Sequence, residues 1–237
     1  MIALVDRPPS TFAEPTGGKK GTAPPTTALL AAVRYAHAKG VTIGAQVSWS
    51  DDPAQDIITV AHEARVAWIL LGYHRAASGS DTTGGVVREV FAKAKVLPIN
   101  VGVCIPGTDR AIERVFAVVD SSPDGCASLA LGVRIAKGNR CRLRALLLPK
   151  GMPNEEDALL DMVRDTRADM GERFHADVLT ARSMPQLLRQ APGRLLIVGR
   201  EFANEVGLIL DEVPGSHRNV ILVQGADIKP SEHSPVS

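Results

Sequence analysis

Aromatic side chains are scarce: two Trp, two Tyr and five Phe in 237 residues. So few rings argue against the stacked platforms that grip single-stranded nucleic acid. The three cysteines, Cys104, Cys126 and Cys141, are an odd number with no C-x-x-C pair, which excludes a zinc ribbon and argues against a disulfide framework; reduced, buried thiols are expected. Neither sign of charge dominates, with 27 Lys and Arg against 26 Asp and Glu, so no general field draws the chain to nucleic acid or to an anionic membrane. No apolar run approaches the ~18 residues of a spanning helix. The opening Met1-Ile2-Ala3-Leu4-Val5-Asp6 is too short, and too soon acidic, for a signal peptide. A cytoplasmic chain with no membrane insertion of its own is expected.

What the sequence does contain is apolar runs of strand length between helical patterns. After a strand at 1–5, residues 7–27 hold five prolines, three glycines and two lysines without periodicity, the composition of a flexible loop. A helix is expected over 27–39, stopped by Gly40, and a strand over 41–48. Asp51 or Asp52 then caps a helix begun by Pro53, and Trp68-Ile69-Leu70-Leu71 reads as a buried strand ended by Gly72. The polar stretch 73–85 leads to a helix over 86–95 and a strand over 97–103. Beyond it, strands are expected at 115–119, 141–148, 177–180, 195–198 and 219–223, with helices over about 124–137 and 155–173 and a short one from Met184.

The second half repeats the grammar of the first. Trp68-Ile69-Leu70-Leu71-Gly72 aligns with Leu195-Leu196-Ile197-Val198-Gly199, and Ile99-Asn100-Val101-Gly102-Val103 with Asn219-Val220-Ile221-Leu222-Val223, at offsets of 127 and 120 residues. Two landmarks in one order at nearly one offset indicate tandem βα units: residues 1–105, a linker over 106–114, a second unit over 115–225 and a disordered tail over 226–237. The fold class expected is α/β, two flavodoxin-like or Rossmann-like parallel-sheet units. The first lacks the opening strand and helix that the second has, so residues 1–5 take the place of a second strand.

Val118-Val119-Asp120-Ser121-Ser122, an apolar strand running into Asp-x-Ser, resembles the first-strand motif of the universal stress proteins, and residues 72–103 resemble that family's fourth strand, glycine loop, helix and fifth strand. The family's nucleotide loop is Gly, two residues, Gly, nine residues, then Gly followed by Ser or Thr. Gly72 and Gly85 match its ends, whereas Arg75 stands at its second glycine and Val86 at its hydroxyl. The resemblance implies a universal-stress fold over residues 1–224 and ATP or AMP as the ligand to test. Leu4-Val5-Asp6-Arg7-Pro8-Pro9-Ser10, Asp52-Pro53-Ala54-Gln55-Asp56-Ile57, Leu70-Leu71-Gly72-Tyr73-His74-Arg75 and Thr83-Gly84-Gly85-Val86-Val87-Arg88-Glu89-Val90 further resemble the cytosolic tail of the cation:proton antiporter-2 family. There, a tandem of degenerate universal-stress-like domains follows a membrane exchanger.

On physical grounds the stretch from Gly72 to Gly85 is the best candidate site. Ligands of parallel sheets bind beyond the carboxyl ends of the strands, and Gly84-Gly85 opening a helix would present backbone N–H groups to a phosphate. Ser78, Ser80, Thr82 and Thr83 offer hydroxyls, and Arg75 a charge-assisted bond; the plainer reading is a strand-to-helix turn with Thr82 or Thr83 as cap. Asp120 and Ser122 in the second unit carry the plainer reading more strongly, as a turn cap and a helix start before Pro123. The late loop of that unit, Gly199-Arg200-Glu201-Phe202, has no G-x-x-G, and Gly215-Ser216 lies too close to Asn219 for a helix between.

Other chemistries fail on spacing. Gly17-Gly18-Lys19-Lys20-Gly21-Thr22 is not a phosphate loop, the six histidines include no H-x-x-x-H, and no G-x-S-x-G occurs; His62 beside Glu63 reads as a helical surface residue. The expectation is a regulatory module and not an enzyme, a homodimer or a pseudo-dimer of its two units, with a membrane antiporter domain as partner and no nucleic acid. The alternatives are a stand-alone nucleotide-binding stress protein with weak ATPase activity and a non-binding dimerisation unit.

Overall fold

A strand buried on both faces of a parallel sheet reads as an unbroken apolar run, and Leu195-Leu196-Ile197-Val198 is such a run. It lies inside a seven-stranded sheet, and every residue of its strand is buried. The computed structural model describes residues 2–6, 25–41, 43, 45–73, 85–107, 112–151, 154–192, 195–208 and 218–227. Packing divides the chain into two compact units, Met1–Ala64 and Arg65–Ser237.

In the first unit, β1 (Ile2–Asp6) pairs in parallel with β2 (Ala45–Trp49). Two helices accompany them, α1 (Pro25–Ala38) and α2 (Pro53–Glu63). Asp52 caps α2: its Oδ1 accepts from Gln55 N at 2.9 Å, with Pro53 at the first helical position. The expected loop over 7–27 falls outside the described residues except for its last three, which start α1.

In the second unit the strands are β3 (Trp68–Gly72), β4 (Asn100–Ile105), β5 (Arg114–Val119), β6 (Arg142–Leu147), β7 (Phe174–Val178), β8 (Leu195–Gly199) and β9 (Asn219–Gln224), in the order β3-β4-β9-β8-β5-β6-β7. From β7 to β9 all neighbours are parallel, with β8 and β9 on the side of β5 opposite to β6 and β7. β3 and β4 are parallel to each other, but β4 meets β9 antiparallel, from Val101↔Gln224 to Ile105↔Val220. This antiparallel seam makes one sheet of strands from both halves of the sequence, and the break between compact units falls at Ala64 and Arg65.

Helices α3 (Gly85–Ala94), α4 (Pro123–Asn139), α5 (Glu155–Met170) and α6 (Met184–Gln190) follow their strands as expected. The core gathers Val115, Ala117 and Val119 of β5, Leu143 and Ala145 of β6 and Leu195 and Ile197 of β8 against Leu131 and Ala136 of α4 and Leu159 and Met170 of α5. Two expectations need correcting. A helix does follow β8, α7 (Arg200–Glu205), which starts directly after Gly199 rather than beyond a glycine loop. The third strand of the C-terminal half spans Phe174–Val178 rather than 177–180, because Phe174 already pairs with Leu143 of β6. The thiols also differ from expectation: Cys141 is buried, but Cys104 is half-buried and Cys126 exposed.

Candidate functional site

Within the second unit, two places lie at strand ends: the end of β3 beside the start of α3, and a crevice beyond β5, β8 and β9. At the first, Gly72 closes β3 in register with Cys104, Tyr73 N donates to Cys104 O at 2.9 Å, and Gly85 opens α3. A Cβ built on Gly72 or on Gly85 would meet nothing within 4 Å. Arg75, Ser80, Thr82, Thr83 and Gly84, together with Ser78, lie outside the described residues. Burial pushes the Cys104 thiol upward, which keeps it protonated and unreactive.

At the second crevice, beyond the ends of β5, β8 and β9, the chain answers its own polar groups. Asp120 is only 5% exposed. Its Oδ1 accepts from Ser122 N at 3.0 Å and from Ser122 Oγ, and its Oδ2 faces Lys150 Nζ at 2.8 Å. The hydrogen bond to Asp120 holds the Lys150 ammonium above the ordinary lysine value. Lys150 is fixed at its backbone too, since Lys150 N donates to Glu155 Oε2 at 2.6 Å while Ser121 Oγ donates to Glu155 Oε1 at 3.0 Å. Ser122 caps α4 through Gly125 N, with Pro123 at the first position. Ser122 thus stands as the helix cap with Asp120 in the turn before it, while the sequence gives no sign of Lys150 or Glu155, which come from the segment after β6 and the first residue of α5.

In the first turn of α4, Asp124 Oδ1 accepts from Gly225 N at 2.8 Å and Oδ2 from Glu201 N at 3.4 Å. These are the backbone donors that an anionic ligand would seek beyond β8 and β9, and a carboxylate of the chain already occupies them. Burial raises the Asp124 carboxyl above the ordinary aspartate range, partly offset by those two N–H bonds. The fit is close. A Cβ on Gly199 would stand 2.9 Å from Asp124 Cβ, and one on Gly225 only 2.0 Å from Pro123 O.

Beside this contact lies a pocket of about 520 Å³ whose lining includes Lys95, Ser122, Asp124, Arg200 and Gln224. Its arginine is engaged: Arg200 Nη1 donates to Gln224 Oε1 at 2.9 Å, its guanidinium lies 4.9 Å from the Phe91 ring centroid, and Gln224 Nε2 donates to Phe91 O at 2.9 Å. Among the described residues no group of three His, Cys, Asp or Glu side chains could hold a metal ion, and no helix is long and apolar enough to cross a membrane.

The Lys150–Asp120 pair carries a pH dependence whose sign follows from the raised lysine value. A lysine with a higher folded pKa stabilises the fold fully below its unfolded value of about 10.4, and that contribution fades as pH rises through the folded value. Thermal melts between pH 9 and 12 should therefore show wild type losing stability more steeply than a Lys150→Met variant, and parallel curves would contradict the pairing.

No protein-family model and no curated protein matches the chain. Solved structures do. A protein from Pseudomonas aeruginosa UCBPP-PA14 assigned to the universal stress proteins superposes with a TM-score of 0.51 at 14% identity, over 93% of this chain and 81% of that one. A functionally unknown protein from Pseudomonas aeruginosa PAO1 gives 0.52 at 13% identity, over 95% and 82%. The cytoplasmic domain of a prokaryotic cation chloride cotransporter matches at 0.48 and 10% identity, over 85% and 80%, a likeness too slight to argue a transport role. The fold is that of the universal stress proteins.

Proposed function

We propose that the chain is a regulatory module of the universal-stress type, the tail of a monovalent cation:proton antiporter or a relic of one, which senses a nucleotide such as ATP or AMP at Gly72 and Gly85. The observation that carries the site is a contrast between the two places. Gly72 and Gly85 stand at a strand end and a helix start with open space where side chains would be, whereas the donors of the crevice beyond β8 and β9 are taken by Asp124. Occupancy would regulate only by favouring one state of the attached exchanger over another. The antiporter assignment rests on the four sequence segments quoted above. The antiparallel β4–β9 seam supports reading the two halves as a pseudo-dimer within one chain.

Calorimetric titration of the full chain with ATP and AMP tests the site. A Cβ at position 85 would meet nothing within 4 Å, so Gly85→Val should fold yet lose binding by blocking backbone approach to a phosphate. Asp120→Asn should bind as wild type does. Binding that survives Gly85→Val and disappears in folded Asp120→Asn would move the site to the other crevice, and no binding by wild type would reject nucleotide sensing.

A further inference from the structure

At the opposite ends of the same strands, where β5 and β6 begin, the chain gathers cations without matching anions. Arg114 opens β5, Arg142 opens β6, and the two are register partners. In neighbouring strands, paired residues project from the same face, so like charges directly opposite each other are unfavourable. Arg144, two residues on, shares that face and is the register partner of His175 on β7. Arg167 joins them from the last turn of α5. Arg114, Arg142, Arg144, Arg167, His175 and Asp177 line one concavity of about 340 Å³.

Its single carboxylate is spoken for. Asp177 pairs with Arg144, which holds the Asp177 carboxyl below the usual aspartate range. Among the described residues, Arg114, Arg142 and Arg167 have no carboxylate at ion-pair distance. Three guanidinium groups from three elements thus line one hollow with no carboxylate partner among the described residues.

We propose that this hollow binds a small soluble molecule carrying a diphosphate group, at a site separate from the nucleotide site. Guanidinium forks match phosphate oxygens bidentately. A single phosphate monoester, with a charge of about −1.5 to −2, leaves one of the three arginines uncompensated; a diphosphate does not. The near-zero net charge of the whole chain and the confinement of these cations to one concavity favour a small ligand over a nucleic-acid strand, which would need a basic stripe along its backbone.

The probe is inorganic pyrophosphate, titrated calorimetrically into the full chain at constant ionic strength. Arg142→Gln and Arg167→Gln alter exposed side chains and should each weaken binding about tenfold or more, the size of a lost charge-assisted bond. Arg134→Gln, on the exposed face of α4, should leave it unchanged. Arg142→Gln should also melt higher than wild type without ligand, because it relieves the Arg114–Arg142 repulsion. As a readout independent of any variant, pyrophosphate should perturb wild-type amide resonances at residues 142–144 and 174–177. No binding above the chloride control, equal affinity in all three variants, or perturbation confined to residues near Gly72 and Gly85 would each overturn the proposal. The last outcome would place diphosphate at the nucleotide site instead, so the two readings fail separately.

Discussion

Gly225→Ala should destabilise the protein by about 3 kcal/mol or more, at the upper end of the cost of overpacking a fixed contact. The added methyl would lie 2.0 Å from Pro123 O and 2.8 Å from Asp124 N. Both are backbone atoms, so no side-chain rotation relieves the clash. The start of α4 would have to lift from the end of β9, taking the Asp124 carboxylate away from Gly225 N and leaving that donor unsatisfied. Urea unfolding measures the loss. A second effect follows if the chain's own carboxylate is what closes this crevice: the variant should show faster amide exchange at Glu201 and Gly225 than at the centre of β8. A Gly225→Ala protein within 1 kcal/mol of wild type would show that the contact between α4 and β9 is loose.

Lys150→Met should cost about 2–3 kcal/mol, below the 3–5 kcal/mol typical of breaking a fully buried ion pair. The lysine side chain is 30% exposed and the Asp120 side chain 7%, so solvent screens one partner but not the other, while Ser122 continues to donate to the stranded carboxylate. Adding Asp120→Asn removes the buried charge and should recover most of the loss. In a double-mutant cycle the coupling should exceed about 1 kcal/mol, and a coupling near zero would mean that Lys150 merely lies over the site.

The sequence showed the framework of the sheet well because its central strands are unbroken apolar runs and helices α2 and α4 carry local caps. The cap on α4 was visible as Ser122-Pro123, and the repeat offsets located β3 and β4 against β8 and β9. What stayed hidden depends on partners far away in the chain. Helix α7 has no side-chain cap of its own, and the carboxylate at its first turn comes from Asp124, 77 residues earlier. Lys150 meets Asp120 across 30 residues, and neither has a periodic signal. The displacement of the third strand has a similar origin: β7 alternates buried Phe174 with exposed His175, a pattern weaker than the continuous runs beside it. The arginine hollow was invisible because Arg114, Arg142 and Arg167 look like ordinary surface charges until the ladder sets two of them side by side.

The antiparallel seam between β4 and β9 has a consequence for how the chain is made. Gly102 and Val223 are ladder partners separated by 121 residues, so this pairing closes one of the longest loops in the sheet, and contacts of such separation form slowly. Until β9 emerges, β4 and β8 each present an edge with unpaired backbone groups and apolar side chains. At ribosomal speeds of about 5–20 residues per second, that interval lasts about 6 to 24 seconds for β4 but about one to five for β8, whose partner follows only 24 residues later. The nascent chain is therefore most prone to aggregate through β4, and a chaperone that shields that strand during synthesis should raise soluble yield more than one acting after release.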